Sequence, residues 1–261
     1  MKRASAVALL LCVSLSLWAQ QVRIASYNME RLGEDAKDYP VLARVISRFD
    51  VVAAEEVMNA GGMQRVLRQL GPAWSKAMSE ASEGSKKYRE FYGFFYDKKI
   101  ELVKMLGPYP GKRQFFRPPY GAEFKAKGSD LTFTLVACHI IYGKDEIERV
   151  QEIRHLGEVY RYFESLTGSQ GTTIIAGDFN EEHETDFQAL HDLDEQEVIP
   201  AKGTTMGVSG PDHAYDHMFL PPALRVRKVS ADVDYWTTDF AASRKNVSDH
   251  FPVYLVLRTG T

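Results

Sequence analysis

Runs of four to eight β-branched or aromatic residues recur between turn signals along this chain. They predict strands at Val22 to Tyr27, Val51 to Ala54, Phe91 to Tyr96, Leu131 to Ala137, Thr172 to Ala176, His217 to Leu220 and Val253 to Leu257. Between them, apolar positions fall at helical spacing over Tyr39 to Phe49 and Gly62 to Leu70. The segment Asp145 to Glu164 carries Ile147, Val150, Ile153, Leu156, Tyr160 and Phe163 at the same spacing and predicts one long helix. Helices follow some strands, and hairpin-like pairs surround Asp97-Lys98-Lys99 and Pro110-Gly111, so a purely parallel wound sheet does not fit. The pattern favours two antiparallel sheets with helices outside.

The first 19 residues stand apart from this pattern. Lys2 and Arg3 precede an apolar and small-residue run from Ala4 to Trp18, the layout of a secretory signal peptide rather than a membrane anchor. A lipoprotein reading would cleave before Cys12, but Leu11 stands where such sites want a small residue. Residues 20–261 show no repeat, low-complexity linker or break in composition, so we expect one domain, monomeric, with no transmembrane segment, secreted or periplasmic. With Cys12 removed, Cys138 is the only thiol, and no intrachain disulfide can form.

The net charge of −3 falls to −5 once Lys2 and Arg3 leave with the first 19 residues, so the mature chain is acidic. Charge is nevertheless uneven: Lys86 to Lys127 is rich in Lys and Arg and interleaved with aromatic residues. Alternating aromatics such as Tyr92, Phe94 and Tyr96 read as sheet core, which leaves Tyr88, Arg89, Glu90 and Arg117 as candidates for a phosphate-binding face.

Candidate chemistry sits at the ends of the predicted strands. In Gly177-Asp178-Phe179-Asn180 the glycine lets the backbone turn, and Asp178 and Asn180 fall on the same side. Glu56 follows the apolar run Val51 to Ala54; Glu55, its neighbour, faces the opposite way. Asn28 ends the first strand and offers an amide to a phosphate oxygen or a cation. Oxygen ligands of this kind suit a hard divalent cation. His250, in Ser248-Asp249-His250, is the candidate base for taking a proton from water, oriented by Asp216 or Asp249. His139, ending its strand, is the candidate acid, with Glu90 as its partner. His155 lies on the long helix, and His183, His191, His213 and His217 read as surface residues without a role.

These motifs, in this order, resemble the endonuclease/exonuclease/phosphatase superfamily, and within it the deoxyribonuclease I group. The likeness runs from Val22-Arg23-Ile24-Ala25-Ser26-Tyr27-Asn28 to Ser248-Asp249-His250-Phe251-Pro252-Val253, by way of Tyr88-Arg89-Glu90-Phe91-Tyr92 and Phe116-Arg117-Pro118. The resemblance implies an α/β (α+β) four-layer sandwich, two mixed β-sheets packed face to face with helices outside. It implies Glu56 as the main metal carboxylate and Asp249 on the other side of that cation. It implies Asn28, Asp178 and Asn180 around a second metal position and the scissile phosphate. Asp216 would orient His250, and Glu90 would pair with His139. Arg117 would contact phosphate, and Tyr88 would pack on a sugar in the DNA minor groove. The implied activity is hydrolysis of a phosphodiester, most directly endonucleolytic cleavage of DNA with little sequence preference, supported by Mg2+, with Mn2+ or Ca2+ as alternatives.

Departures from the group's pattern concern substrate binding. Glu30 and Met58 replace arginines that reach the minor groove, His183 and His213 stand in place of a cysteine pair, and Glu55 replaces a glutamine. The same core chemistry also serves phosphatases and phospholipid diesterases acting on sphingomyelin or phosphoinositides. A membrane substrate would call for an exposed apolar hairpin, for which only Phe115 and Phe116 offer themselves. A non-catalytic binding module of the same fold is disfavoured by the complete set of acidic and imidazole groups.

Overall fold

A computed structural model describes residues 21–34, 36–85, 88–111, 113–167 and 171–260. The signal-peptide reading of residues 1–19, and its lipoprotein alternative at Cys12, lie outside the described residues. In chain order the strands are β1 (Gln21–Leu32), β2 (Val51–Val57), β3 (Trp74–Met78), β4 (Glu83–Gly84), β5 (Arg89–Asp97), β6 (Ile100–Pro108), β7 (Tyr120–Ala126), β8 (Thr132–His139), β9 (Thr173–Asp178), β10 (Gln196–Glu197), β11 (Asp216–Leu220), β12 (Lys228–Val233) and β13 (Val253–Arg258). The helices are α1 (Tyr39–Ile46), α2 (Ala60–Leu70), α3 (Glu146–Ile153), α4 (Leu156–Leu166), α5 (Gln188–His191), α6 (Pro222–Arg225) and α7 (Phe240–Asn246).

One sheet runs β12-β13-β1-β2-β5-β3, with β4 beside β5; the other runs β10-β11-β9-β8-β7-β6. Both are mixed rather than antiparallel, because β1 with β2 and β8 with β9 are parallel pairs joined by helical crossovers. The period-2 alternation of buried strands builds the layers. Val51 and Ala53 on β2 meet Leu135, Ala137, Ile174 and Ala176 of the other sheet in a central core. Their neighbours Val52 and Ala54 face the opposite way, onto Leu42, Val45 and Ile46 of α1 and Met63 and Val66 of α2. Val136, Cys138 and Ile175 turn outward to Ile153 of α3 and Leu156, Val159 and Phe163 of α4. The order helix, sheet, sheet, helix makes the four layers.

Three further expectations change. The long helix is two: the chain turns at Arg154 and His155, α3 sends Glu152 inward, and α4 restarts with Gly157 tight against the Ala189 carbonyl. Asp97-Lys98-Lys99 is not a hairpin, because β5 and β6 belong to different sheets and the turn carries the chain between layers. Pro110-Gly111 does lie between paired antiparallel strands, β6 and β7. His217 is not a surface residue: it is 4% exposed and packs against Phe179, Phe187 and Phe219. Among the described residues no helix is long and apolar enough to cross a membrane.

Candidate active site

The topology brings chemistry to one end of the sandwich. β1, β2, β8 and β9 end there, while their antiparallel neighbours β5, β11 and β13 begin there. Glu30, Glu56, Tyr88, Arg117, His139, Asp178, Asn180, Asp249 and His250 line a single open pocket of about 650 Å3. The two imidazole–carboxylate pairs, His139–Glu90 and His250–Asp216, each straddle the two sheets, so they form only when the layers are packed.

His139, at the end of β8, sets Nδ1 2.6 Å from Glu90 Oε1, on β5 of the other sheet. His250, just before β13, sets Nδ1 2.8 Å from Asp216 Oδ2, on β11 opposite. Nε2 of each ring lies 3.6 Å from Asp178 Oδ2, beyond hydrogen-bond length but in common range of one small group. A ring whose Nδ1 faces a carboxylate carries its proton there, leaving Nε2 to exchange protons with the pocket. Burial opposes the charged form of His250, but Asp216 and Asp178 outweigh it and hold its pKa well above the ordinary imidazole value. In His139, burial and Arg117 lower the pKa, and Glu90 reverses both, so the net shift is also upward.

Asp178 ends β9 behind Gly177, whose φ of +153° no side chain adopts with ease. Asp178 Oδ1 accepts the Asn180 backbone N–H at 2.9 Å, and Asn180 sits at φ +51°, which closes a tight turn. The Asn180 side chain donates to the Ile140 carbonyl at 2.9 Å. Asn28 Nδ2 donates to Asp178 Oδ2 at 3.0 Å and to Glu56 Oε1 at 3.3 Å, while its Oδ1 accepts the Glu30 N–H at 2.9 Å. In this orientation Asn28 is a clamp between two carboxylates, with its oxygen turned away from both.

Glu56 owes its direction to a bulge. The register of β2 slips against both β1 and β5 around Glu55-Glu56, and Glu56 adopts φ +53°. Its carboxylate accepts from the Tyr88 hydroxyl at 2.8 Å, the Arg31 N–H at 3.1 Å and Asn28. Burial pushes its pKa up, but His139 and the Tyr88 and Asn28 hydrogen bonds prevail, so the group stays ionised below the usual carboxylate value. Glu55 points the other way into the interior, bonded to the Ser26 hydroxyl at 2.8 Å, and burial drives its pKa far up. A neutral, proton-bearing Glu55 has the shape of a glutamine side chain.

Arg117 is 5% exposed; Nε and Nη2 hold the carbonyls of His139 and Ile140 at 3.0 and 2.9 Å. Glu152 fixes the same junction by accepting the N–H groups of Phe116 and Ile141 at 2.5 and 3.0 Å. Thr204 is fully buried, bonds Asp216 Oδ2 at 2.6 Å and accepts the N–H groups of Tyr215 and Asp216. Ser248 ties the Asn28 carbonyl at 2.7 Å and takes the His250 N–H at 3.0 Å. Thr204 and Glu152 escape sequence reasoning because neither lies in a strand-end motif; Ser248 lies in one but shows its role only in three dimensions. Of the two residues offered for an apolar hairpin, Phe115 is 4% exposed and packed on Tyr109, while Phe116 is 37% exposed.

The proposed cation fits an open donor set. Asp249 keeps a carboxylate 34% exposed at the pocket, and Glu56 retains unused oxygen lone pairs. Mg2+ favours one or two carboxylates together with water and substrate phosphate over a closed protein cage. The ligand atoms of Glu56, Asp178 and Asp249 do not all gather within 4.8 Å of one another. Among the described residues the one such group is Glu146, Glu181 and Asp186, with ligand atoms within 4.8 Å, away from the pocket lining.

No protein-family model matches the chain. It is 32% identical to a deoxyribonuclease of Thioalkalivibrio sp. (strain K90mix), over 99% of this chain and 77% of that protein. It is 25% identical to deoxyribonuclease-1-like 2 of Mus musculus, over 92% and 93%. In structure it superposes on an endonuclease/exonuclease/phosphatase family protein from Bacteroides thetaiotaomicron with a TM-score of 0.66 and 19% identity, covering 91% of this chain and 97% of that one. The chain therefore belongs to the endonuclease/exonuclease/phosphatase superfamily of phosphoric ester hydrolases, and within it resembles the deoxyribonuclease I group.

Proposed function

We propose that this enzyme is an exported, divalent-metal-dependent endonuclease that cleaves DNA with little sequence preference. One observation carries the reading: two imidazoles, each backed by a carboxylate from the opposite sheet, direct Nε2 toward the same oxygen of Asp178 beside Glu56 and Asp249. In-line hydrolysis of a phosphodiester needs a base for the attacking water and an acid for the leaving oxygen, and two imidazoles in one pocket support that assignment. His250 takes the proton of the attacking water at Nε2, and Asp216 stabilises the resulting imidazolium. His139, whose protonated form Glu90 favours, gives its Nε2 proton to the leaving oxygen. Asn180, Asp178 and Arg117 surround the phosphoryl group, and Tyr88 flanks it through its bond to Glu56.

Glu56 and Asp249 would hold the cation, Mg2+ first and Mn2+ or Ca2+ next, with Asn28 and Asp178 shaping the neighbouring position. When bound, the cation supplies Lewis-acid stabilisation of charge on the phosphoryl oxygens. The names of the deoxyribonuclease relatives support DNA as the substrate, and the N-terminal run of the sequence supports secretion or a periplasmic location.

The test is incubation of the purified protein with supercoiled plasmid and Mg2+, with and without chelator. Nicked circles that disappear with chelator are the expected result. Intact plasmid, single-stranded DNA and RNA with all three cations would overturn the reading and redirect it to phosphatase or phospholipid diesterase chemistry.

A further inference from the structure

The wall of the pocket beyond His139 is aromatic and exposed. Tyr142, three residues past that imidazole, is 62% exposed, against 41% for Tyr235 and 37% for Phe116. Its position is held from behind: Arg149 donates to the Tyr142 carbonyl at 3.1 Å and sets its guanidinium 5.8 Å from the ring centroid. The His213 imidazole lies flat on the Tyr215 ring, with centroids 4.7 Å apart and planes within 5°. His213 is 51% exposed in its side chain and pinned by Glu182 at 2.5 Å from Nδ1. All three rings line the pocket that holds the catalytic imidazoles.

A large aromatic face left in water beside a phosphate-binding pocket is unfavourable unless something covers it in use. Every nucleobase has a flat π-face, and stacking on an aromatic side chain is the sequence-tolerant way proteins hold one. Inside a duplex both faces of each base are already covered by neighbours, so only an unpaired or splayed nucleotide can offer one to the wall. The rim carries the Glu30 and Asp212 carboxylates together with Arg31 and Arg244, and Lys37 pairs with Glu30 at 3.1 Å, so its charge is mixed rather than a basic track for a second phosphate backbone.

We propose that Tyr142 and the His213–Tyr215 stack receive the base of an unpaired nucleotide next to the scissile phosphate, making single-stranded DNA the better substrate. This rests on the nuclease reading and narrows its substrate. It is tested by kcat/KM on a single-stranded oligonucleotide and on a duplex of the same sequence, for the wild type and for Y142A, Y142F and H213A. Each variant is first checked for an unchanged melting transition.

The wild type should favour the single strand. Y142A and H213A should lower the single-strand value about tenfold, a typical worth of one stacked base, with little loss on duplex, and Y142F should retain the preference. A wild type that cuts duplex faster, or an Ala variant that lowers both substrates equally or neither, overturns the stacking wall alone. A wild type that cuts no DNA while hydrolysing another phosphoric ester overturns the nuclease reading and this proposal together.

Discussion

His139 and His250 converge on one atom: Nε2 of each ring stands 3.6 Å from Asp178 Oδ2, while Nδ1 of each is tied to its own carboxylate on the other sheet. On the proposed mechanism the near-symmetric frame carries different duties, because only His139 would protonate the leaving oxygen. Replacing either His by Ala should reduce cleavage of DNA by roughly 10²- to 10⁴-fold, the usual worth of general acid–base assistance. A diester with a p-nitrophenyl leaving group needs no proton on departure. On it, H139A should recover most of the loss and H250A none; equal losses on both substrates would refute the division of labour.

Asp216 should reveal itself through the acid limb of the rate profile. Burial lowers the His250 pKa, but Asp216 and Asp178 raise it further, so the ring becomes a free base only above the ordinary imidazole range. Removing one of those charges in D216N favours the neutral ring. The acid limb of kcat/KM should then move to lower pH while the plateau falls, because the ring loses its orienting partner. A limb that stays in place would show that Asp216 does not set this titration.

Gly177 predicts a loss of stability and activity together. A Cβ there would stand 1.8 Å from the Cys138 carbonyl oxygen and 2.7 Å from its carbon, at a φ already unfavourable for any side chain. G177A should therefore cost roughly 3 kcal/mol or more by urea unfolding. It should also displace Asp178, the next residue. An unchanged urea midpoint would contradict this geometry.

Glu195, remote from the pocket lining, should govern part of the pH dependence of folding. It is 2% exposed, and burial raises its pKa from 4.5 to about 8, with the Tyr160 hydroxyl offsetting part of the shift. Between those values the unfolded chain has released a proton that the folded chain keeps, so stability falls as pH rises from about 4.5 to about 8 and then levels. E195Q keeps an uncharged group and should flatten that slope, gaining on the wild type most at alkaline pH. Parallel melting curves for both proteins across this range would count against it.

The sandwich was legible where both faces of a strand are buried, because alternating pairs such as Val51 and Val52 must then each find an apolar layer. Edge strands were less so. β6 mixes Glu101 and Lys104 among apolar residues, and its cross-strand partners Lys125 and Glu123 appear only once the register is known. The break between α3 and α4 was hidden because Glu152 is hydrophilic in sequence yet turns inward to satisfy two backbone N–H groups. At the site, strand ends announced their carboxylates and imidazoles. The supporting hydroxyls of Thr204 and Ser248 were silent, since a buried Ser or Thr has no pattern of its own. His217 was misread for a related reason: its ring looks polar, yet it is enclosed by phenylalanines, bonded to the Glu181 carbonyl at 2.7 Å and paired with Glu197.

The strands of one sheet come from the two ends of the chain, and those of the other from its middle, with His250 near the very last strand. A folding intermediate that has built β1 to β11 but not docked the β12–β13 pair would hold His139 and Asp178 and still lack His250, so under the proposed roles the return of hydrolysis during refolding reports the docking of that pair.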